Sequence, residues 1–152
     1  MMIESPEALQ ATLLAHVAET SRHVDIISNN FLPTIFSNEP LVAERTRLVR
    51  RGRQTRIRVL LQAFDSHALA GHRLIALARR LTSAIQLRCL PTHPEWPSHS
   101  WVIFDQNAGL DIIPTPPPRA TKLTRADARH CSDTFDRLWL VGHEPIEMRR
   151  FG

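Results

Sequence analysis

The chain has 152 residues, 43% apolar and 22% charged, with five glycines and eleven prolines. These proportions exclude a disordered tail, a collagen-like repeat and a disulfide scaffold, and they fit one packed domain. The net charge of +4 rests on eighteen arginines and a single lysine, Lys122, a bias that suits phosphate binding and is equally the codon usage of a GC-rich genome.

No apolar run reaches the roughly 20 residues that span a bilayer, and "MMIESPEALQ" lacks the basic start and apolar stretch of a secretory signal. A cytoplasmic protein without a membrane span is expected. Cys89 and Cys131 stand far apart in sequence and are expected as buried thiols in a reducing compartment.

Ser5 and Pro6 open the first helix, Ser5 as its cap and Pro6 at the first helical position, where a missing N–H costs nothing. Leu9, Leu13, Leu14 and Val17 share one face. "HVDIISNNF" is a short β-branched strand that turns at Asn29-Asn30. "SNEPLVAERTRLVRRGRQ" predicts a second helix from near Asn38 to Gly52, with Leu41/Leu48 and Val42/Val49 on its inner side. "TRIRVLLQAF" predicts a strand that ends buried. Ser66 begins a third helix with Leu74, Leu77, Ala78 and Leu81 as its stripe, and "AIQLRCL" is a third strand.

Three prolines break "PTHPEWPSH". "SWVIFD" and "LDIIPT" then form a hairpin across "QNAG", with Val102 and Phe104 on one face and Trp101 and Ile103 on the other. "PTPPPRATK" reads as a connector. Thr124 caps the last helix with Asp127 three residues on, its core face is Ala128, Cys131, Phe135 and Leu138, and Gly142 ends it. The order α-β-α-β-α-β-β-β-α implies an α/β fold: a mixed, mostly parallel sheet flanked by helices, in a single domain over residues 1–152.

That order resembles one half of a phospholipase D-like domain over residues 22–140. "VDIISNNF" is similar to the family's first strand and loop, and "LVAERTRLVRRGRQTRIRVLL" to its helix, basic turn and second strand. "HRLIALARRLTSAIQLRCL" resembles the helix and third strand before the catalytic segment. "TFDRLW" resembles the closing Phe-x-x-x-Trp helix, here Phe135 and Trp139. The resemblance implies a His-x-Lys-x-x-x-x-Asp motif at the hairpin. Its histidine attacks phosphorus, its lysine holds the nonbridging oxygens, its aspartate supports the fold and the histidine, and two chains form a homodimer so that two histidines meet.

"HSWVIFD", His99 to Asp105, is one residue out of that pattern. Counted from Asp105, the histidine position is Ser98; counted from His99, the lysine position is Trp101. Lys122 follows the hairpin, and the Ser/Thr-x-Asn pattern expected there is absent from "PTPPPRATKL". Loss of one transition-state donor typically costs roughly two to three orders of magnitude in rate. The reading is therefore a degenerate phospholipase D-like domain acting as a binding or interaction module, with no cofactor. Two alternatives remain: a homodimeric phosphodiesterase or nuclease with His99 and Asp105 in a displaced site, and a nonspecific nucleic-acid binder.

"GHRLIALARRLTSAIQLR", "WVIFD" and "FDRLW…EMRRF" also resemble an uncharacterised bacterial domain often attached behind GNAT-type acetyltransferase domains. The chain has no Arg/Gln-x-x-Gly-x-Gly/Ala pyrophosphate loop, so acetyl-CoA is not implied.

"RTRLVRRGRQTRIR" holds seven arginines and no acid. Arg47, Arg50, Arg51 and Arg53, with Arg119, Lys122 and Arg125 further on, are candidate contacts to a phosphorylated ligand or a nucleic-acid backbone. A solvated helix face explains the run as well, and no interleaved aromatics offer a stacking platform. Ligands of mixed α/β sheets sit beyond the carboxyl ends of the parallel strands, which makes Ser28, Asn29, Asn30, Gln62, Asp65 and His93 a candidate strand-end pocket; turn chemistry accounts for the same residues. Cys89, His93 and His99 lack the tight Cys-x-x-Cys or helical His pair of zinc sites, so no metal is expected.

Overall fold

The computed structural model describes residues 2–20, 22–29, 43, 47, 56–62, 72–80, 84–91, 93–113 and 118–145. The predicted second helix lies outside these except for Ala43 and Arg47, both helical and exposed. Ser66 and Leu81 also lie outside them.

The elements in chain order are β1 (Met2–Ile3), α1 (Pro6–Glu19), β2 (His23–Ser28), β3 (Arg56–Leu61), α2 (Arg73–Arg80), β4 (Ile85–Cys89), β5 (Ser100–Phe104), β6 (Ala108–Ile113), β7 (Arg119–Lys122) and α3 (Arg125–Val141). The predicted caps form. The Ser5 hydroxyl accepts from the Ala8 N–H at 3.1 Å with Pro6 in the first turn, and Thr124 accepts from the Asp127 N–H at 3.1 Å. Each satisfies a donor that the helix leaves without an internal partner, a contribution of about 1 kcal/mol. Gly142 caps α3, its N–H donating to the Leu138 and Trp139 carbonyls.

The seven strands form one mixed sheet in the order β1-β7-β6-β5-β2-β3-β4. Only β2-β3 and β3-β4 are parallel; every other pairing is antiparallel. The sheet is mixed as the element order implies, but its parallel share is smaller than expected. The reasons are that β5 joins β2 antiparallel and that two strands are added. Arg119–Lys122, read in sequence as connector, pairs with β6 from Leu110↔Lys122 to Ile113↔Arg119, and Met2–Ile3 pairs with β7 in turn. "RATK" buries only Ala120, so it carries no alternating pattern to read; its backbone groups pair because β6 offers an open edge.

The hairpin turns over Asp105, Gln106 and Asn107, with the Asn107 N–H donating to the Phe104 carbonyl at 3.2 Å. Asp105 and Gln106 have φ of 52° and 65°, the left-handed pair whose twist matches the flanking strands. Gly109 faces Ile103 across the ladder, and a Cβ there would lie 2.7 Å from the Val102 carbonyl oxygen, so only glycine lets the strands approach this closely.

One sheet face packs against α1 and α2. Leu9, Leu13 and Val17 of α1 meet Val24, Ile26, Val59, Val102 and Phe104, and α2 adds Ile75, Leu77 and Ala78. Ile75 joins the predicted Leu77/Ala78 stripe. The other face carries Ile27, Leu60 and Ile103 beneath Cys131, Phe135, Leu138 and Trp139 of α3, with Trp101 half-buried at its border. The hairpin's two faces thus divide as its alternation implies. Each fully buried large side chain contributes about 1.5–3 kcal/mol.

Charge also crosses the α3 face. Asp25 of β2 is fully buried and receives Arg58 of β3 through Nε at 2.8 Å and Nη2 at 3.1 Å, while the same Nη2 donates to Asp136 of α3 at 2.8 Å. The Arg58 guanidinium lies 4.9 Å from the Phe135 ring centroid and 5.5 Å from that of Trp139. Arg88 stacks on the same indole at 4.4 Å and donates to the Trp139 carbonyl at 2.7 Å. Burial pushes the Asp25 carboxyl above the usual range although Arg58 pulls it down. Burial likewise lowers Arg58, but its bonds to Asp25 and Asp136 outweigh this and hold its charge firmly.

Candidate functional site

Because β5 runs antiparallel to β2, its first residue meets the carboxyl end of the parallel strands. Ser100 and Ser28 are both buried there, their hydroxyls 3.0 Å apart. Beside them Asn29 accepts a hydrogen bond from the Trp96 indole N–H. The proline-broken segment before β5 therefore folds over the strand ends. It is held by Glu95, whose carboxylate takes Arg137 of α3 at 2.8 Å; that bond draws the Glu95 carboxyl below its ordinary value. His93 turns back on its own segment, Nδ1 accepting from the Glu95 N–H at 3.1 Å. Gln62 is half-buried just past β3. Asn30 and Asp65 lie outside the described residues.

His99 stands at this same end, and its partner is Asp111 of β6, with Nδ1 3.0 Å from Oδ1 and 3.3 Å from Oδ2. In the tautomer with the proton on Nδ1, the ring donates to this carboxylate and Nε2 is the nitrogen left to accept. Both side chains are partly exposed, 40% for His99 and 31% for Asp111. Asp111 was not singled out from sequence. The signal was available in the register: counting back from the turn pairs Asp111 with Trp101, next but one to His99.

Asp105 is not part of this group. It opens the turn after β5 at the opposite end of the hairpin, six residues and about 20 Å away along the strand. Its Oδ1 accepts from the Arg22 and His23 backbone N–H groups, each at 2.8 Å, and its own N–H donates to the His23 carbonyl. Asp105 thereby ties the turn to the start of β2.

The candidate cations are dispersed. Arg119 is exposed and pairs with Ile113 at the His99 end, about 10 Å from β5 across two strand spacings. Lys122 pairs with Leu110 nearer the turn and lines a cavity of about 390 Å³ with Thr12, His16 and Glu19 of α1. Arg125 is exposed at the start of α3, and Arg47 is exposed on its helical residue. Arg50, Arg51 and Arg53 lie outside the described residues.

Cys89 and Cys131 are both buried, belong to opposite faces of the sheet and form no disulfide. Burial pushes the Cys131 thiol up to about 11, which makes it a poor nucleophile. Among the described residues no three His, Cys, Asp or Glu side chains converge as metal ligands, and no helix is long and apolar enough to cross a membrane.

A family profile described as "Domain of unknown function (DUF7931)" matches residues 5–151. The chain belongs to that family. No curated protein matches the DUF7931 chain. Among solved structures it is similar to TrmBL2, an archaeal chromatin protein with a novel mode of DNA binding, at TM-score 0.67 and 13% identity. That alignment covers 95% of this chain and 54% of TrmBL2, so the chain spans about half that protein's length. It is similar also to Nuc from Salmonella typhimurium, a phospholipase D family member, at TM-score 0.66 and 14% identity over 95% and 96% of the two chains. NucT from Helicobacter pylori aligns at TM-score 0.64 and 7% identity over 92% of each. The DUF7931 chain thus has a phospholipase D-like fold.

Proposed function

We propose that this chain is a phospholipase D-like binding module that does not hydrolyse phosphodiesters and whose ligand carries phosphate. The observation that carries this reading is the Ser28–Ser100 pair. Counted from Asp105, the motif's histidine and lysine positions fall on Ser98 and Ser100. The Ser100 hydroxyl is buried against Ser28 and supplies no fixed cation where a phosphoryl transition state would need one. Asp105 is committed to backbone N–H groups. Arg119 is exposed at the same end of the sheet as His99 and is a candidate phosphate contact there, and the similarity to the DNA-binding TrmBL2 makes nucleic acid the first ligand class to try.

The His99–Asp111 couple favours a second reading, a homodimeric phosphodiesterase or nuclease, because a carboxylate that fixes Nδ1–H leaves Nε2 oriented as a base. The two readings part on one assay: hydrolysis of bis(p-nitrophenyl) phosphate and of DNA by the wild type and His99→Ala, alongside DNA binding at low and high salt. The binding module gives no turnover above the His99→Ala background and a salt-sensitive affinity that Arg119→Ala reduces. Turnover that disappears with His99→Ala establishes the enzyme instead.

A further inference from the structure

β4 and β5 follow one another in the chain, yet β3 and β2 lie between them in the sheet. Because β4 runs parallel to β3 and β2 while β5 runs antiparallel to β2, the chain leaves β4 and enters β5 at the same end. Residues 90–99 therefore have to cross the carboxyl ends of β3 and β2, where ligands of mixed α/β sheets sit. The crossing is about 14 Å, three strand spacings, and a chain of about ten residues can reach roughly 33 Å. The connection has slack.

On either side of it the backbone is fixed, since the Leu90 N–H donates to the Leu61 carbonyl and Ser100 pairs with Ile112. Between these points the backbone is held differently. Pro94 and Pro97 have no N–H to give a neighbouring strand. Among the described residues, no backbone group of residues 93–98 bonds to the rest of the fold; the Trp96 N–H turns back to the His93 carbonyl and the Glu95 N–H to His93 Nδ1, each at 3.1 Å. The segment is a small unit closed on itself, and two side chains tie it down. The Trp96 indole N–H donates to Asn29, and its half-buried ring packs against the apolar cluster that includes Ile27, Leu60 and Leu138. Glu95 meets Arg137 with side chains 43% and 53% exposed, and an ion pair so well hydrated is weak.

We propose that residues 93–98 form a hinged cover over the carboxyl ends of β2 and β3, which opens as a unit while the sheet stays intact. Opening separates Trp96 from Asn29 and Glu95 from Arg137, and so frees an amide, a guanidinium and an apolar seat together at the ligand end of the sheet. In the closed state the cover's own indole and carboxylate occupy these groups, so a ligand that uses them displaces the cover. The device stands whether or not the ligand carries phosphate.

The test is solvent exchange of the tryptophan indole protons in the full chain, followed by NMR at urea concentrations below the unfolding transition, with Trp96→Phe to assign the signal. The backbone amide of Ile26, fully buried in the middle of β2, reports opening of the whole fold. Opening of the cover exposes little surface, so the Trp96 indole proton should exchange at a rate almost independent of urea while the Ile26 amide accelerates with it. Glu95→Gln should speed Trp96 exchange about two- to fivefold, the worth of one exposed ion pair, and leave the Ile26 rate and the Tm unchanged. Trp96 exchange that rises with urea as steeply as that of Ile26 overturns the proposal, because the segment then opens only with the fold. A Trp96 rate that Glu95→Gln does not change, or that already equals that of free indole, overturns it as well.

Discussion

The two faces of the central sheet solve the same problem by different chemistry. Against α1 and α2 the sheet presents an apolar surface, with Val24, Ile26, Val59, Val102 and Leu110 all at 1% exposure or less. Against α3 the sheet presents Asp25, Arg58 and Arg88, capped by Trp139 and Asp136. On the first face stability is spread over many contacts and any one of them is partly replaceable. The second adds a charge network in which Asp25 and Arg58 lost most of their water on folding, so that removing either one alone leaves the other without its partner.

The largest effect expected from this contrast is Arg58→Met. Removing the guanidinium leaves Asp25 buried and unpaired, and urea denaturation should register a loss of about 3–5 kcal/mol. Adding Asp25→Leu to it should recover much of the loss, since two apolar residues replace an ion pair more readily than one partner survives alone. A double variant no more stable than the single one would show that the network does more than satisfy Asp25.

On the apolar face, Leu13→Ala removes a fully buried side chain and should cost about 2–4 kcal/mol by the same measurement. No second substitution is expected to rescue it as cleanly, and that asymmetry is the sharper comparison of the two faces.

The smallest effect is in pH. His16 stacks on Phe104 with centroids 4.8 Å apart, and burial, reinforced by Lys122, lowers its pKa below the ordinary 6.5. The unfolded chain therefore binds more protons than the folded one just below pH 6.5, so the stabilisation is whole above that value and declines as pH falls through it. In His16→Phe the slope of stability against pH between about 6.5 and 5 should flatten; an unchanged slope would place the titration elsewhere.

Much of the fold was legible because it rests on local rules. Ser5-Pro6 and Thr124 mark helix starts by chemistry that needs only three or four neighbouring residues, and the alternation of "SWVIFD" sorts its side chains between faces without knowledge of what covers them. "RATK" was not legible, since a four-residue strand with one buried side chain is recruited by its neighbour's edge rather than specified by its own pattern. The candidate site was legible only in its ingredients. His99 and Asp105 stand out in sequence, but a strand carries its ends apart, and the partner His99 meets comes from the other arm of the hairpin. Asp25 and Arg58 interrupt two apolar strand runs, and each such interruption is a sign of a buried partner that only the register β2-β3 identifies.

The edges of the sheet carry one more consequence. Met2–Ile3 forms one edge strand, and at the other edge His143 pairs with Cys89 of β4 through two backbone hydrogen bonds of 2.7 and 2.9 Å. Seven strands at about 4.8 Å spacing separate these two anchor points by roughly 30 Å. Probes attached at Met2 and at His143 would therefore sit on opposite flanks, and the distance between them would report whether all the intervening strands stay paired.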